Sequence, residues 1–287
     1  MARDDAWLRQ ARRDEAASPG DDASAKLDTN VAYSARVNNY WRGGKDNFAA
    51  DREAAGRAIE AFPQLPEAVR AGQVLRGRVA RYLATQAGVR QFLDIGTGLP
   101  TDKTIYQIAA PLAPGCRCVY TDNDAMAISH ARALLVSGAG GTCAYVQADV
   151  RDPGAVLAAA RQTLDFAEPV AVILVSVLHL IPDADDPYGI VRQLMDVTAA
   201  GSHLVIVHPS SDLRPESSAK MAASLNKLVA QQRTYRDRVQ VTRFFGGLEL
   251  VEPGVVPAPE WRPDSPEEAT APTMAWCGVG RKSGKSG

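Results

Sequence analysis

Three aspartates stand where strands are expected to end. Asp94 opens the turn Asp94-Ile95-Gly96-Thr97-Gly98, Asp122 heads Asp122-Asn123-Asp124, and Asp149 lies within Gln147-Ala148-Asp149-Val150. Glycine at 96 and 98 lets a ligand approach the backbone closely, and a helix behind the turn offers free N–H groups. A carboxylate just ahead of the glycines would repel a pyrophosphate but can accept from an ammonium group. The third glycine of a dinucleotide-binding turn is absent, because Thr101 holds its place. An acid at the end of the second strand can hold both hydroxyls of a ribose. Asp122 takes that expected role, with a plain helix cap as the structural alternative. Asp149 can accept from an adenine amino group, with Val150 adding an N–H and an apolar contact; a loop or capping aspartate is the alternative.

S-adenosylmethionine carries an adenosyl group, an ammonium and a sulfonium, and no phosphate. It is the cofactor these positions suit, with Thr97, Asn123 and Ser176 completing the expected contacts. His179 follows the fourth predicted strand, and a near-neutral imidazole there suits a general base toward an acceptor. A positioning or structural histidine fits as well, since transfer from a sulfonium often needs only alignment. His208 ends the fifth strand and is a second candidate for contact with substrate. In Gly43-Gly44-Lys45-Asp46-Asn47, Lys45 or Asn47 could close over the cofactor carboxylate or bind substrate, and Tyr40 nearby is a further candidate for contact with substrate. Equally, the glycines can simply link two helices, with Asp46 or Asn47 as a cap. Tyr33, Tyr40 and Trp41 can line an apolar pocket, contact the sulfonium or pack into the core. No spacing of His, Cys or Asp suggests a metal site.

These residues require a particular scaffold. After Gly88 the chain alternates strands (91–95, 117–121, 143–147, 170–176, 202–207) with helices (103–110, 125–137, 156–164, 188–199), which predicts a doubly wound, mostly parallel α/β sheet. Val170–Ser176 is almost continuously apolar, as for a strand covered on both faces. Runs at 248–251 and 274–279, joined by a proline-rich loop, predict an antiparallel pair at the sheet edge. Ser217–Thr234 is a predicted helix, and a short one spans 236–245. Residues 29–88 read as a helical cap: Asn30 could cap a helix through Tyr40, Asp46 or Asn47 could start one running to Phe62, and Val74, Leu75, Val79, Tyr82 and Leu83 recur at helical spacing. The expected organisation is a flexible tail at 1–28, the cap at 29–88, the cofactor domain at 89–282 and a disordered tail at 283–287.

The composition agrees with one globular unit. Of 287 residues, 46% are hydrophobic and the net charge is −1, so no global field attracts nucleic acid or an anionic membrane. The four cysteines read as buried free thiols. Cys116 and Cys118 are expected on opposite strand faces, which argues against a disulfide between them. The longest apolar run, Val170–Ile181, is too short to span a bilayer. A reducing, cytoplasmic setting is expected.

The set Asp94/Gly96/Gly98, Asp122 and Asp149 resembles the class I S-adenosylmethionine-dependent methyltransferases. That resemblance implies that Gly96 and Gly98 pass the methionine part, Asp122 holds ribose and Asp149 holds adenine. Ala35–Arg52, Phe92–Pro100, Ser176–His179, Phe244–Pro253 and Trp261-Arg262-Pro263 are similar to a bacterial S-adenosyl methyltransferase family long filed as a domain of unknown function. The likeness covers about 29–282 and implies the methyltransferase fold and cofactor, without an agreed substrate. A small, moderately apolar acceptor is expected. The alternatives are a cyclase or lyase acting on the same cofactor, a non-catalytic cofactor sensor, and a nicotinamide-dependent oxidoreductase, against which Thr101 and Asp94 speak. The sequence leaves the oligomeric state open.

Overall fold

A computed structural model describes residues 28–100, 103–134 and 142–284. The predicted tails and Thr101 therefore lie mostly or wholly outside the described residues. Five parallel strands form the centre: β1 (Gln91–Ile95), β2 (Arg117–Asp122), β3 (Thr142–Gln147), β4 (Val170–Val175) and β5 (His203–Pro209). Three short or reversed strands complete the sheet, β6 (Glu249–Leu250), β7 (Val256–Pro257) and β8 (Ala275–Arg281), in the order β3-β2-β1-β4-β5-β8-β6 with β7 also on β8. β8 runs antiparallel to β5, β6 and β7. The predicted antiparallel edge pair is thus present as β6 and β8, with β8 also pairing β5 and β7. Chain direction across the sheet reverses between β1 and β4, and that switch point opens the crevice above their carboxyl ends.

β1, β2, β4 and β5 are short, largely buried runs, whereas the edge strand β3 is only half-buried, and helices from the crossovers cover the sheet. Above and below lie α4 (Ile105–Ala109), α5 (Ala125–Leu134), α6 (Pro153–Ala160) and α7 (Pro187–Asp196). Caps set several of their starts: Thr104 accepts from the Gln107 N–H, Asp152 from Ala155 and Asp186 from Gly189. One apolar core on each face of the sheet results, the first around Leu93, Val172 and Leu204, the second around Phe92, Ile173 and Trp261. Cys116 and Cys118 belong to the same core, which corrects the expectation of opposite faces: residues two apart in an extended chain share a face. Both are free thiols, as are Cys143 and Cys277.

Ahead of the sheet come α1 (Ser34–Trp41), α2 (Ala49–Ala61) and the long α3 (Leu65–Thr85). The second half of α3, through Leu75, Val79 and Leu83, packs into the sheet core. Its first turn joins α1, α2 and α8 (Pro215–Leu225) in a third core around Val37, Ala54, Ala58, Met221 and Leu225. Helix α1 begins at Ser34 rather than at an Asn30 cap, and α2 begins after Phe48, whose N–H donates to Asp51 at 2.8 Å. Helix α8 stops at Leu225, nine residues short of the expected Thr234. The reason is tertiary: Val229 pairs with Ala32 as an isolated bridge, and the Asn226 side chain bonds both backbone groups of Arg233. The remaining small helices are α9 (Arg238–Thr242) and α10 (Pro266–Ala269).

Candidate active site

The ends of β1 to β4 and the underside of α1, α3 and α8 enclose a cavity of about 260 Å³. Its floor is the glycine turn after β1. Gly96 and Gly98 have φ of +70° and +64°, a region where a side chain is strained. A Cβ on Gly96 would fall 2.2 Å from Val177 Cγ2, so this position must be glycine for packing as well. The turn is tied to the neighbouring strand through its own N–H groups. Gly96 and Thr97 donate to Thr121 O at 2.7 and 3.2 Å, and Gly98 donates to the Asp122 carboxylate at 2.8 Å. Those donors are spent on holding the turn, so the turn shapes the site rather than offering free N–H groups.

Asp94, Asp122 and Asp149 all line the cavity, as do Thr97, Asn123, Val150 and Ser176. Asp122 accepts from Gly98 and, at 2.9 Å, from the Asp124 N–H; burial raises its carboxyl above the usual range, and those two bonds oppose the rise. Asp94 is 2% exposed and paired with Arg76 of α3, where burial pushes its carboxyl up and the guanidinium works against that. Around Asp149, burial disfavours the charge, but the Arg151 N–H at 2.9 Å, Asn123 Nδ2 at 3.1 Å and the Arg151 guanidinium outweigh it and hold the carboxyl below its ordinary value. Ser176 has φ of +55°, a strained conformation at the mouth of β4, and its N–H donates to Val207 O at 2.8 Å.

His179 also lines the cavity, in the single 3-10 turn Leu178–Leu180 after β4. It is 3% exposed, and its Nε2 lies 3.3 Å from a guanidinium nitrogen of Arg233. A guanidinium has no lone pair to offer, so Nε2 must be the acceptor and Nδ1 must carry the proton. Nδ1 has no hydrogen-bond partner. Burial, then the nearby Arg233, His208 and Arg236, holds the imidazole well below its ordinary pKa, so the ring is neutral with its lone pair in use.

The four residues expected to touch substrate are not among those lining the cavity. His208 is fully buried, with Nδ1 2.8 Å from Pro209 O and Nε2 3.0 Å from Arg236. Asn47 donates to Asn39 Oδ1 and Gly44 O at 3.0 and 2.9 Å, which folds the Gly43-Gly44 link between α1 and α2. Lys45 is exposed, and Tyr40 is 38% exposed on the outer face of α1. Trp41, one residue on, does line the cavity, and its Nε1 donates to Ala55 O at 3.2 Å. Sequence reasoning missed others that line it, among them Arg42, Arg76, Arg233 and Tyr235. Arg76 sits among apolar residues at helical spacing, which is itself a faint signal of a charge carried on a buried face. Arg233 falls in a polar stretch with no such mark.

The fit to the expected cofactor rests on the donor set. Acids gather at the ends of β1, β2 and β3, without the phosphate cradle that a dinucleotide needs. Among the described residues, no group of three or more His, Cys, Asp or Glu could hold a metal ion, and no helix is long and apolar enough to cross a membrane. Comparison with known proteins gives the same direction. Among curated proteins none matches the chain. A crystal structure of a DUF574 family protein from Streptomyces avermitilis is 38% identical, covering 89% of this chain and 99% of its own, with a TM-score of 0.84. A protein from Thermobifida fusca, provisionally labelled a methyltransferase, is 35% identical, covering 92% and 100%, with a TM-score of 0.81. The family model described as S-adenosyl methyltransferase matches residues 20–283. By that match and those two relatives, the chain belongs to the S-adenosyl methyltransferase family and is an S-adenosylmethionine-dependent methyltransferase.

Proposed function

We propose that this methyltransferase acts on a small acceptor seated beneath α1, α3 and α8. In this reading Asp122 holds the ribose of the cofactor, and Asp149, Asn123 and Val150 hold its adenine. The observation that carries it is the continuity of one cavity from those three strand ends to Trp41, Leu65, Val69 and Met221. The bound cofactor supplies an electrophilic methyl group and is left as S-adenosylhomocysteine. The protein's own part is to align and to exclude water, since a preorganised, dry site removes most of the cost of bringing two reactants together. His179 serves as a positioning residue in this scheme: its lone pair is engaged by Arg233, so it orients neighbours rather than taking a proton. The acidic strand ends and the family leave the nicotinamide alternative without support.

The test is calorimetry with S-adenosylmethionine and S-adenosylhomocysteine, together with mass spectrometry of molecules that co-purify. Asp122→Ala should weaken both cofactors by about tenfold to a hundredfold, the worth of hydrogen bonds to a charged group. Equal affinity in the variant would remove the ribose role. Release of methylthioadenosine in place of S-adenosylhomocysteine would turn the reading toward a cyclase or lyase.

A further inference from the structure

Four arginines are buried among the described residues: Arg36, Arg78, Arg233 and Arg236. Arg36 is paired with Asp51, Arg78 with Glu268 and Arg236 with Asp183. Arg233 forms no ion pair among the described residues. It is 8% exposed and lines the cavity. Its guanidinium reaches His179 Nε2 at 3.3 Å and Ser34 Oγ at 3.2 Å, lies 5.9 Å from the centre of the Trp41 ring, and leaves Nε without a hydrogen bond. Tyr235 lines the cavity beside it, and burial raises that phenol, so it too is neutral. A cation removed from water with only neutral partners is expensive, and folding gains nothing evident from it.

Its position is nonetheless firmly set. The Arg233 N–H donates to Asn226 Oδ1 at 2.8 Å, Asn226 Nδ2 donates to Arg233 O at 3.3 Å, and the Thr234 N–H donates to His179 O at 2.7 Å. The charges in the cavity are also segregated. Asp94, Asp122, Asp124 and Asp149 lie at the ends of β1 to β3, whereas Trp41, Leu65, Val69, Met221 and Tyr235 accompany Arg233 without an acid. The glycine turn has cations of its own, Arg76 on Asp94 and Arg42 on Leu99 O at 3.3 Å, to face the methionine part of the cofactor.

We propose that Arg233 binds an anionic group of the acceptor, so that the substrate is a small carboxylate with an apolar body. A single guanidinium on an apolar, aromatic wall matches one negative charge in a planar oxyanion. A phosphate would call for more charge or a nest of backbone N–H groups, and neither accompanies Arg233. The proposal rests on the methyltransferase reading of the cavity.

The test uses the full chain saturated with S-adenosylhomocysteine, with benzoate and its neutral isostere benzamide as probes in calorimetry and thermal shift. Benzoate should bind at least about tenfold tighter than benzamide. Arg233→Met should lose that preference while its affinity for S-adenosylhomocysteine stays within about twofold. Arg233→Lys, which keeps the charge, should retain part of the preference and serves if the methionine variant does not fold. Equal binding of the two probes, no benzoate binding to the cofactor-loaded protein, or undiminished benzoate binding by the variants would each overturn the proposal. So would loss of S-adenosylhomocysteine binding in Arg233→Met, which would assign the guanidinium to the cofactor's own carboxylate. A wild-type chain that binds no S-adenosylhomocysteine at all would instead sink the cofactor reading.

Discussion

Two buried histidines flank one corner of the site, and both are held neutral for reasons that can be read from their neighbours. Burial first, and Arg236 beside it, brings His208 down to about 3 even though the bond to Pro209 O pulls the other way. His179 moves in the same direction. An unfolded histidine takes its proton near 6.5. Between that pH and about 3 the unfolded chain therefore binds a proton that folded His208 refuses. The folded state loses stability as pH falls through this window, by up to about 1.4 kcal/mol per pH unit from this residue. Asp94 and Asp122, whose carboxyls are raised, act with the opposite sign as they take up protons. The comparison must therefore be with a variant. His208→Asn, which can still accept from Arg236, should show a urea-unfolding stability that falls with acid less steeply by about 1.4 kcal/mol per unit. In the wild type, NMR signals of both imidazoles should not titrate between about pH 8 and 5. A titration of His179 in that range would restore it as a candidate base.

At the scale of elements, the turn after β1 does two separable jobs. Gly96 answers to packing, because its missing Cβ makes room for Val177. Gly98 has open space around that position, so its constraint is the positive φ alone. Gly98→Ala should thus cost about 1–2 kcal/mol of stability, the penalty of a left-handed residue. Gly96→Ala should cost that and about 1–3 kcal/mol more for overpacking against Val177. Urea unfolding of both variants checks the order, and a reversed order would mean that the turn relaxes freely. This turn was legible in the sequence because the positive φ at Gly96 and Gly98 is a local requirement, although the contact with Val177 was not, and β1 to β5 were legible as short strand-forming runs. The predicted helix to Thr234 failed for the opposite reason. Its residues favour a helix, but Asn226 bonding to Arg233 and Val229 pairing with Ala32 prevail over propensity. Arg233 itself meets His179 from 54 positions away, and nothing in a run of Gln, Gln, Arg and Thr announces such a contact. Asp94, Asp122 and Asp149 could be found because each stands at or just past the end of a recognisable strand. Lys45, Asn47 and His208 were drawn in by residue type and place in the chain, and the folded chain uses the last two for its own hydrogen bonds.

Across the whole molecule, three apolar cores divide the labour: two sandwich the sheet, and the third holds α1, α2 and α8 over the side of the cavity lined by Trp41, Leu65 and Met221. The third is built around a buried ion pair. Asp51 is fully buried and accepts from Arg36 Nε at 2.9 Å, from the Tyr33 N–H at 2.9 Å and from the Phe48 N–H at 2.8 Å. Removing that carboxylate strands Arg36, which is 1% exposed, and frees two backbone donors at the starts of α1 and α2. Breaking a buried pair from one side costs about 3–5 kcal/mol. Where that cost appears depends on how cooperatively the molecule folds. If the cap is a unit that opens by itself, Asp51→Ala should speed hydrogen exchange of α1, α2 and α8 amides by about a hundredfold or more. Amides of β4 and β5, which open only with the sheet, should change much less. Saturation with S-adenosylhomocysteine should leave the contrast in place if, as proposed, Asp122 and Asp149 at the strand ends hold the adenosyl group. Uniform acceleration across cap and sheet would show instead a single cooperative unit, and the covering helices would then have no independent means of admitting an acceptor.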